Sequence, residues 1–303
     1  MSASRRRVLL IVNPAARRAG EMLPAVREAL ARVGTVCFEA ATQAPGDATR
    51  IARAHAASVD AVLTLGGDGT AMEAVTALAG AGPPVGVLHG GTANVLARTL
   101  RVPRAVDEAV PALLGGPEAR LDLGRLADGR HFAIGLGVGL DAAMIAAASP
   151  VMKRRLGWIA YALGALRAGL RLERFAVRLT VDGQTIEREA SAVLLANFGA
   201  VLGGTIRFGD GILHDDGLLT ACVFSPRSRV EALRILWRML RAGAPPHPRV
   251  LYASGRRFRL ETDPPHRAQA DGELIGSTPV NVEVVPEGAR VLVPTSREQN
   301  AKR

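Results

Sequence analysis

The sequence predicts two folds in series: a doubly wound α/β domain over residues 1–125 and a mainly antiparallel, β-rich domain over 126–295, followed by a tail at 296–303. Three observations carry this expectation. Strand-like and helical runs alternate over the first ~125 residues at the spacing of an open parallel sheet. After Leu121-Asp122-Leu123, short runs of period-two character dominate. Two glycine turns, Gly66–Thr70 and Gly90–Asn94, each follow an apolar run and open a helical one.

In the first domain, Val8–Val12 reads as a buried strand and Glu21–Val33 as a helix with apolar positions at Leu23, Val26, Leu30 and Val33. Val36–Glu39 is a short strand, and Asp47–Ala57 a helix started by Gly46-Asp47. Ala61–Leu65 is a strand, Ala71–Leu78 a helix, and Val85–Leu88 a further strand. Val95–Leu100 and Ala105–Leu114 are helices separated by Pro103, and a linker is expected near Gly115–Arg125. The strands of the second domain are read at Phe132–Ile134, Phe175–Val181, Ser191–Asn197, Leu218–Phe224, Arg256–Glu261 and Val280–Val285. Asp128-Gly129 and Asp182-Gly183 are hairpin turns, and Lys153–Leu172 and Ser228–Ala242 are helical.

Composition narrows the partners without choosing one. Hydrophobic residues are 48% and charged residues 22%, which places the chain among globular rather than disordered proteins. A formal net charge of +10 favours anionic partners, whether nucleotides, nucleic acid or an acidic membrane surface; the motifs below lead to a reading with no nucleic-acid partner. Cys37 and Cys222 are too few for a disulfide framework and are expected as buried, reduced thiols. Val8–Val12 is too short for a signal segment, and Leu156–Leu172 contains Arg167 and Arg171 and falls short of a spanning helix. A cytoplasmic protein that meets any membrane from the side is the expectation. The six His residues form no metal-binding spacing, and His89 is read as structural or at a cleft rim.

The turn Gly66-Gly67-Asp68-Gly69-Thr70 carries the sharpest chemistry. Glycines let phosphate oxygens approach main-chain N–H groups, and the following helix points its N-terminus at the same place. Asp68 would repel phosphate unless Mg²⁺ or a donor stood between them, which argues for metal-assisted nucleotide handling. Gly90-Gly91-Thr92-Ala93-Asn94 ends the next strand, and in an open parallel sheet ligands gather at the carboxyl ends of strands.

These motifs, in this order, resemble the diacylglycerol kinase catalytic-domain family, the bacterial lipid kinases related to sphingosine kinases. The resemblance takes in Asn13-Pro14, Thr42 with Gly46-Asp47-Ala48, Gly66–Thr70 with Glu73, and Gly91–Asn94 with Leu96-Ala97-Arg98. It continues through Asp122-Leu123-Gly124, Gly135–Asp141, Lys153–Tyr161, Ala196-Asn197 with Gly203-Gly204, Asp216–Leu219 and Asp271-Gly272-Glu273. It implies an α/β nucleotide-binding domain joined to a β-rich domain, with the active site in the cleft between them. It places ATP against Thr42, Gly66, Gly67, Asp68, Gly69, Thr70, Ala71, Met72, Thr92 and Asn94. It makes Glu273, beside Asp271, the catalytic base for a lipid hydroxyl. It also implies a Mg²⁺ held by the Asp216 carboxylate and the carbonyls of Leu213 and Leu218. Two departures stand out. Val95 replaces the usual acid after Gly-Thr-x-Asn, and Ala15-Ala16-Arg17 replaces the usual Ser-Gly after Asn-Pro.

The resemblance thus implies an ATP-dependent lipid kinase of phospholipid metabolism, acting on a lipid such as diacylglycerol. NAD kinase shares a Gly-Gly-Asp-Gly-Thr loop, but its Gly-Ser-Thr-Ala-Tyr segment is replaced here by Gly276-Ser277-Thr278-Pro279-Val280. A non-catalytic lipid- or nucleotide-binding regulator on the same fold is the other alternative. Peripheral contact with an anionic membrane is expected. Ser228–Ala242 brings Val230, Leu233, Leu236, Trp237 and Leu240 to one face beside Arg234, Arg238 and Arg241. That helix either lies on a membrane or packs its stripe on the sheet, and Lys153-Arg154-Arg155 before Leu156 offers the same choice. The oligomeric state, a homodimer included, stays open.

Overall fold

Continuous aliphatic runs give the first unit its strands: β1 (Arg7–Val12), β2 (Val36–Ala41), β3 (Ala61–Gly66) and β4 (Val85–His89). The computed structural model describes residues 6–139, 173–241 and 247–295. The strands pair in parallel in the order β2-β1-β3-β4. Every residue of β3 and β4 is buried, as expected where helices cover both faces of a parallel sheet. Those helices are α1 (Ala19–Arg32), α2 (Asp47–His55), α3 (Asp68–Ala77), α4 (Val95–Thr99) and α5 (Val106–Leu114).

Two expectations fail at the margin of this sheet. The first helix starts at Ala19 and ends before Val33, so its buried face is Met22, Val26, Ala29 and Leu30 while Val33 is exposed. β2 is an edge strand whose residues are largely exposed, and Cys37 is exposed with it. An apolar neighbourhood in sequence does not bury a residue on a strand with one free edge. Cys222, in contrast, is buried, and burial pushes its thiol up to about 12.

The expected linker at Gly115–Arg125 is mostly a strand, β5 (Glu118–Leu126). Its outer half pairs with β6 (His131–Phe132), and Gly124 makes the pairing possible, since a Cβ there would lie 2.1 Å from the Phe132 ring. Beyond it come β7 (Gly135–Gly139), β8 (Phe175–Val181), β9 (Gln184–Ala190), β10 (Ala192–Ala196), β11 (Ala200–Val201) and β12 (Ile206–Arg207). β13 (Leu219–Phe224) leads to α6 (Arg229–Leu240), and the chain closes with β14 (Val250–Gly255), β15 (Arg257–Asp263), β16 (Arg267–Ala270), β17 (Glu273–Ser277) and β18 (Val280–Leu292). The expected helix Lys153–Leu172 lies outside the described residues.

In this second unit β18, β15, β8 and β9 pair antiparallel, and a second antiparallel sheet runs β14-β13-β10-β7-β16-β17. Alternate side chains of the two sheets meet in one apolar core that includes Phe132, Leu136, Val138, Leu179, Leu195, Phe258 and Leu260. Asp182 and Gly183 join β8 to β9 with φ of 47° and 90°, the backbone that a two-residue hairpin needs.

The chain divides into two compact units. One runs to Leu121 and resumes at Glu287; the other is Asp122–Pro286. β18 therefore contributes its first residues to the second unit, and its later residues return to the first, where Val291 pairs with Val85.

Candidate nucleotide and acceptor sites

The two glycine turns of the first unit are built against each other. A Cβ on Gly90 would lie 2.7 Å from the Gly66 nitrogen, and one on Gly91 would lie 2.5 Å from the Gly67 Cα. A Cβ on Gly66 would strike the Thr70 hydroxyl at 2.6 Å. None of Gly66, Gly67, Gly69, Gly90 or Gly91 has positive φ. Close approach of backbone to backbone excludes larger residues at Gly90 and Gly91, and the Thr70 side chain does so at Gly66; no unusual turn is involved. The left-handed residue of the second turn is Asn94, at φ 48°. Its side chain closes on its own loop, with Oδ1 accepting from Gly91 N at 2.8 Å and Nδ2 donating to Gly91 O at 3.0 Å.

Helix α3 begins at Asp68, so Asp68, Gly69 and Thr70 form its first turn and Gly67 is the capping residue. The positive end of the helix dipole thus lies at the glycine turn, the ordinary setting of an anion site. Asn13, just after β1, fixes this corner: Nδ2 donates to Thr70 Oγ1 at 3.1 Å, and Oδ1 accepts from Ala15 N at 3.0 Å. Arg18 donates its N–H to Gly90 O at 3.0 Å, which ties the start of α1 to the second turn.

Asp68 turns its carboxylate to the start of α4, where Oδ1 accepts from Leu96 N at 3.2 Å. Desolvation pushes its carboxyl above the usual carboxylate range, and the N–H groups of Leu96, Val95, Asn94 and Asp68 itself oppose the rise. Helix α4 has no acidic residue in its own first turn, and Asp68 brings a carboxylate to it from α3. Glu73 plays the same part for α2, accepting from Gly46 N at 2.9 Å and Ala48 N at 3.0 Å. His89 is buried with Nε2 against Val102 O at 2.8 Å. Burial lowers its pKa, and the positive charges of Arg104, Arg98 and Arg18 lower it further. At His89, next to the second turn, the field of these three arginines is therefore positive.

Within this arrangement the expected nucleotide residues fall into two sets. Gly69 and Thr92 are exposed, while Thr42, Gly67, Asp68 and Asn94 are half-buried. Gly66, Thr70, Ala71 and Met72 are buried and build the support beneath.

In the second unit, Asp271 and Gly272 form the tip between β16 and β17, with φ of 47° and 90°. The Asp271 carboxylate is engaged by three backbone donors: Ala133 N at 2.8 Å, Ile134 N at 2.9 Å and Gly135 N at 3.0 Å. It anchors the entry to β7. Glu273, at the start of β17, is exposed and lies in the field of Arg130. Of the expected pair, one carboxylate is thus committed to the backbone and the other is accessible.

The segment 213–218 is held by Asp122, whose N–H donates to His214 O at 2.7 Å and whose Oδ2 accepts from Gly217 N at 2.6 Å. Asn197 in turn donates through Nδ2 to the carbonyls of Asp122 and Ala133, each at 2.7 Å. Asp216 Oδ1 accepts from Leu218 N at 3.0 Å, and Leu213 is exposed. Among the described residues no group of three His, Cys, Asp or Glu side chains forms a metal cluster. The set that the resemblance implies, the Asp216 carboxylate with the Leu213 and Leu218 carbonyls, would offer only hard oxygen donors, the kind Mg²⁺ prefers.

Asn13, Glu73, Asp122 and Asn197 were legible as matched motifs but not as parts of a site. Glu73, Asp122 and Asn197 act through side-chain-to-backbone bonds over long sequence separations, and Asn13 through its bond to the distant Thr70 side chain, none of which a local pattern reveals.

Residues 7–126 match the family model described as diacylglycerol kinase catalytic domain, and residues 135–293 match the one described as YegS C-terminal NAD kinase beta sandwich-like domain. A diacylglycerol kinase of Staphylococcus carnosus is 27% identical over 296 residues, covering 96% of each chain. An uncharacterized protein of Synechocystis is 28% identical over 237 residues; the match covers 77% of this chain but spans only 54% of that protein. A solved structure of a candidate diacylglycerol kinase from Bacillus anthracis superposes with a TM-score of 0.83 at 27% identity, covering 98% of both chains.

Proposed function

Because the chain belongs to the family that joins a diacylglycerol kinase catalytic domain to a YegS-type C-terminal domain, we propose that it transfers the γ-phosphate of ATP to the hydroxyl of a lipid such as diacylglycerol. The observation that carries the nucleotide half is the pair of interlocked glycine turns at the N-terminus of α3, with Arg18, Arg98 and Arg104 making the field positive at the adjoining His89. A triphosphate suits that field, with Thr42, Gly67, Gly69 and Thr92 at its contact surface. The lipid hydroxyl oxygen attacks the γ-phosphorus, the bond to the β-phosphate oxygen breaks, and ADP leaves. Glu273 accepts the hydroxyl proton, and Asp271 positions the strand entry beside it. Mg²⁺ bound by Asp216 and the carbonyls of Leu213 and Leu218 would supply fixed positive charge to that loop.

Radiolabelled ATP offered to mixed micelles of candidate lipids, with NAD as a parallel acceptor, tests the reading. Label in a lipid product supports it. Label confined to NADP would establish the NAD kinase alternative, which the description of the second family model keeps in view. No label in any acceptor would leave a binding protein. Two variants separate the carboxylates. Glu273→Gln is expected to lower kcat by roughly 10²–10⁴-fold with an unchanged melting temperature. Asp271→Ala is expected to cost about 3 kcal/mol of stability by stranding three donors, read as a lowered melting temperature.

A further inference from the structure

Helix α6 turns its apolar stripe away from the fold. Val230 is 56% exposed, Leu233 39%, Trp237 55% and Leu240 52%, and these four fall within a narrow arc of the helix. Ile235, roughly opposite that arc at about 100° per residue, is the one buried residue of the helix. Helix α6 packs beside β12. All four stripe residues thus keep a large part of their surface open to solvent.

Charge identifies what would cover it. Residues 227–241 hold five arginines and one acid, Glu231. That acid is engaged inside the fold, accepting from Arg227 N at 2.6 Å and facing Arg249 at 3.8 Å. Arg227, Arg229, Arg234 and Arg241 are exposed. Arg234 and Arg241 flank one side of the stripe, and Arg229 lies on the other. Arg241 stacks its guanidinium 4.8 Å from the centre of the Trp237 ring, which holds the indole at the apolar–polar border. Ser228 caps the helix by accepting from Glu231 N at 3.2 Å, so the element is formed before it meets a partner. Among the described residues no helix is long and apolar enough to cross a membrane.

We infer that α6 docks the protein on an anionic bilayer, laying Val230, Leu233, Trp237 and Leu240 into the acyl boundary while its exposed arginines meet lipid phosphates. A second copy of this chain would bring like-charged arginines together, which disfavours it as the occupant. The inference rests on the lipid-kinase reading only for its purpose. It is tested without nucleotide or turnover, so its failure and that of the kinase assignment are separable.

The test is co-sedimentation of the purified chain with vesicles of phosphatidylcholine alone and of phosphatidylcholine with phosphatidylglycerol. Binding to the mixed vesicles is expected, with weak or no binding to the neutral ones. Leu233→Ala with Trp237→Ala should weaken that binding by at least about tenfold, and Arg234→Gln with Arg241→Gln by about thirtyfold. All four side chains are exposed, so unchanged melting of both double variants checks that they fold. Wild-type protein that stays in the supernatant with anionic vesicles would overturn the inference, as would double variants that bind like wild type. So would a dimer that Trp237→Ala converts to monomer, since the stripe would then be covered by a second copy.

Discussion

Asp68 shows how one carboxylate can be held against its own solvation. Burial raises its pKa, and the N–H groups at the start of α4 recover only part of the loss. An unfolded Asp titrates near pH 3.9, so the folded state holds this proton more tightly than the unfolded state. The folded chain then loses stability as pH rises from about 4 through the folded pKa, and the loss is complete above it. Asp60 and Asp128 have lowered pKa values and act in the opposite sense, but they are shared by any Asp68 variant. The melting temperature of Asp68→Asn relative to wild type is therefore expected to climb with pH over that window and then level. A difference that stays flat with pH would mean that Asp68 is not desolvated. Of the expected nucleotide residues, Asp68 and Asn94 were legible by type, but their partners were not. Asp68 accepts from Leu96 N, which only the folded corner brings near, whereas Asn94 closes on Gly91 within its own loop.

At the scale of elements, the glycine turns and the hairpins behave differently. Asp182-Gly183 and Asp271-Gly272 need positive φ, which sequence signals directly. Gly91 is required because the neighbouring turn presses on it, and nothing local announces that. Gly91→Ala places a Cβ 2.5 Å from the Gly67 Cα and should cost about 1–3 kcal/mol through backbone displacement. Gly20→Ala, in the first turn of α1 with nothing within 4 Å, should instead gain up to about 1 kcal/mol. Thermal melts of the two variants are expected to shift in opposite directions; equal shifts would show that the turns are not in contact. The long amphipathic helices and most buried strands were readable from period. β7, β14, β16 and β17 were not: glycines interrupt β7, β14 and β17 are largely half-exposed or exposed, and β16, though buried at three of four positions, is too short for a period to show. The linker expected at Gly115–Arg125 does hold the boundary between the units, at Leu121 and Asp122, but it is a strand rather than a loop, and the polar–apolar alternation of Glu118–Leu123 is the signal that marks it.

At the scale of the whole molecule, the informative feature is the return of the chain to its first unit. Ala289, Val291 and Leu292 are buried there, and Arg290 pairs with Glu118. Losing the burial of Val291 and Leu292 alone removes about 4 kcal/mol, a large share of a typical domain's ~5–15 kcal/mol. A chain ended at Pro286 should lose cooperative melting of the first unit while the β-rich unit persists, measured by calorimetry and limited proteolysis. Two undisturbed transitions would show that the returning segment is dispensable.

The sequence by itself determined the order of elements, the two-part architecture and the residue types at the glycine turns, because these follow from hydrophobic period and backbone permissiveness within a few residues. The tertiary structure decided what could not be local. It showed that Gly66, Gly90 and Gly91 serve close packing, that Asp68 and Asp271 spend their carboxylates on backbone N–H groups, and that Cys37 lies on an open edge. It also decided that the stripe of α6 faces outward. A helix pattern states which residues share a face, but only the position of the neighbouring strands states which face is covered.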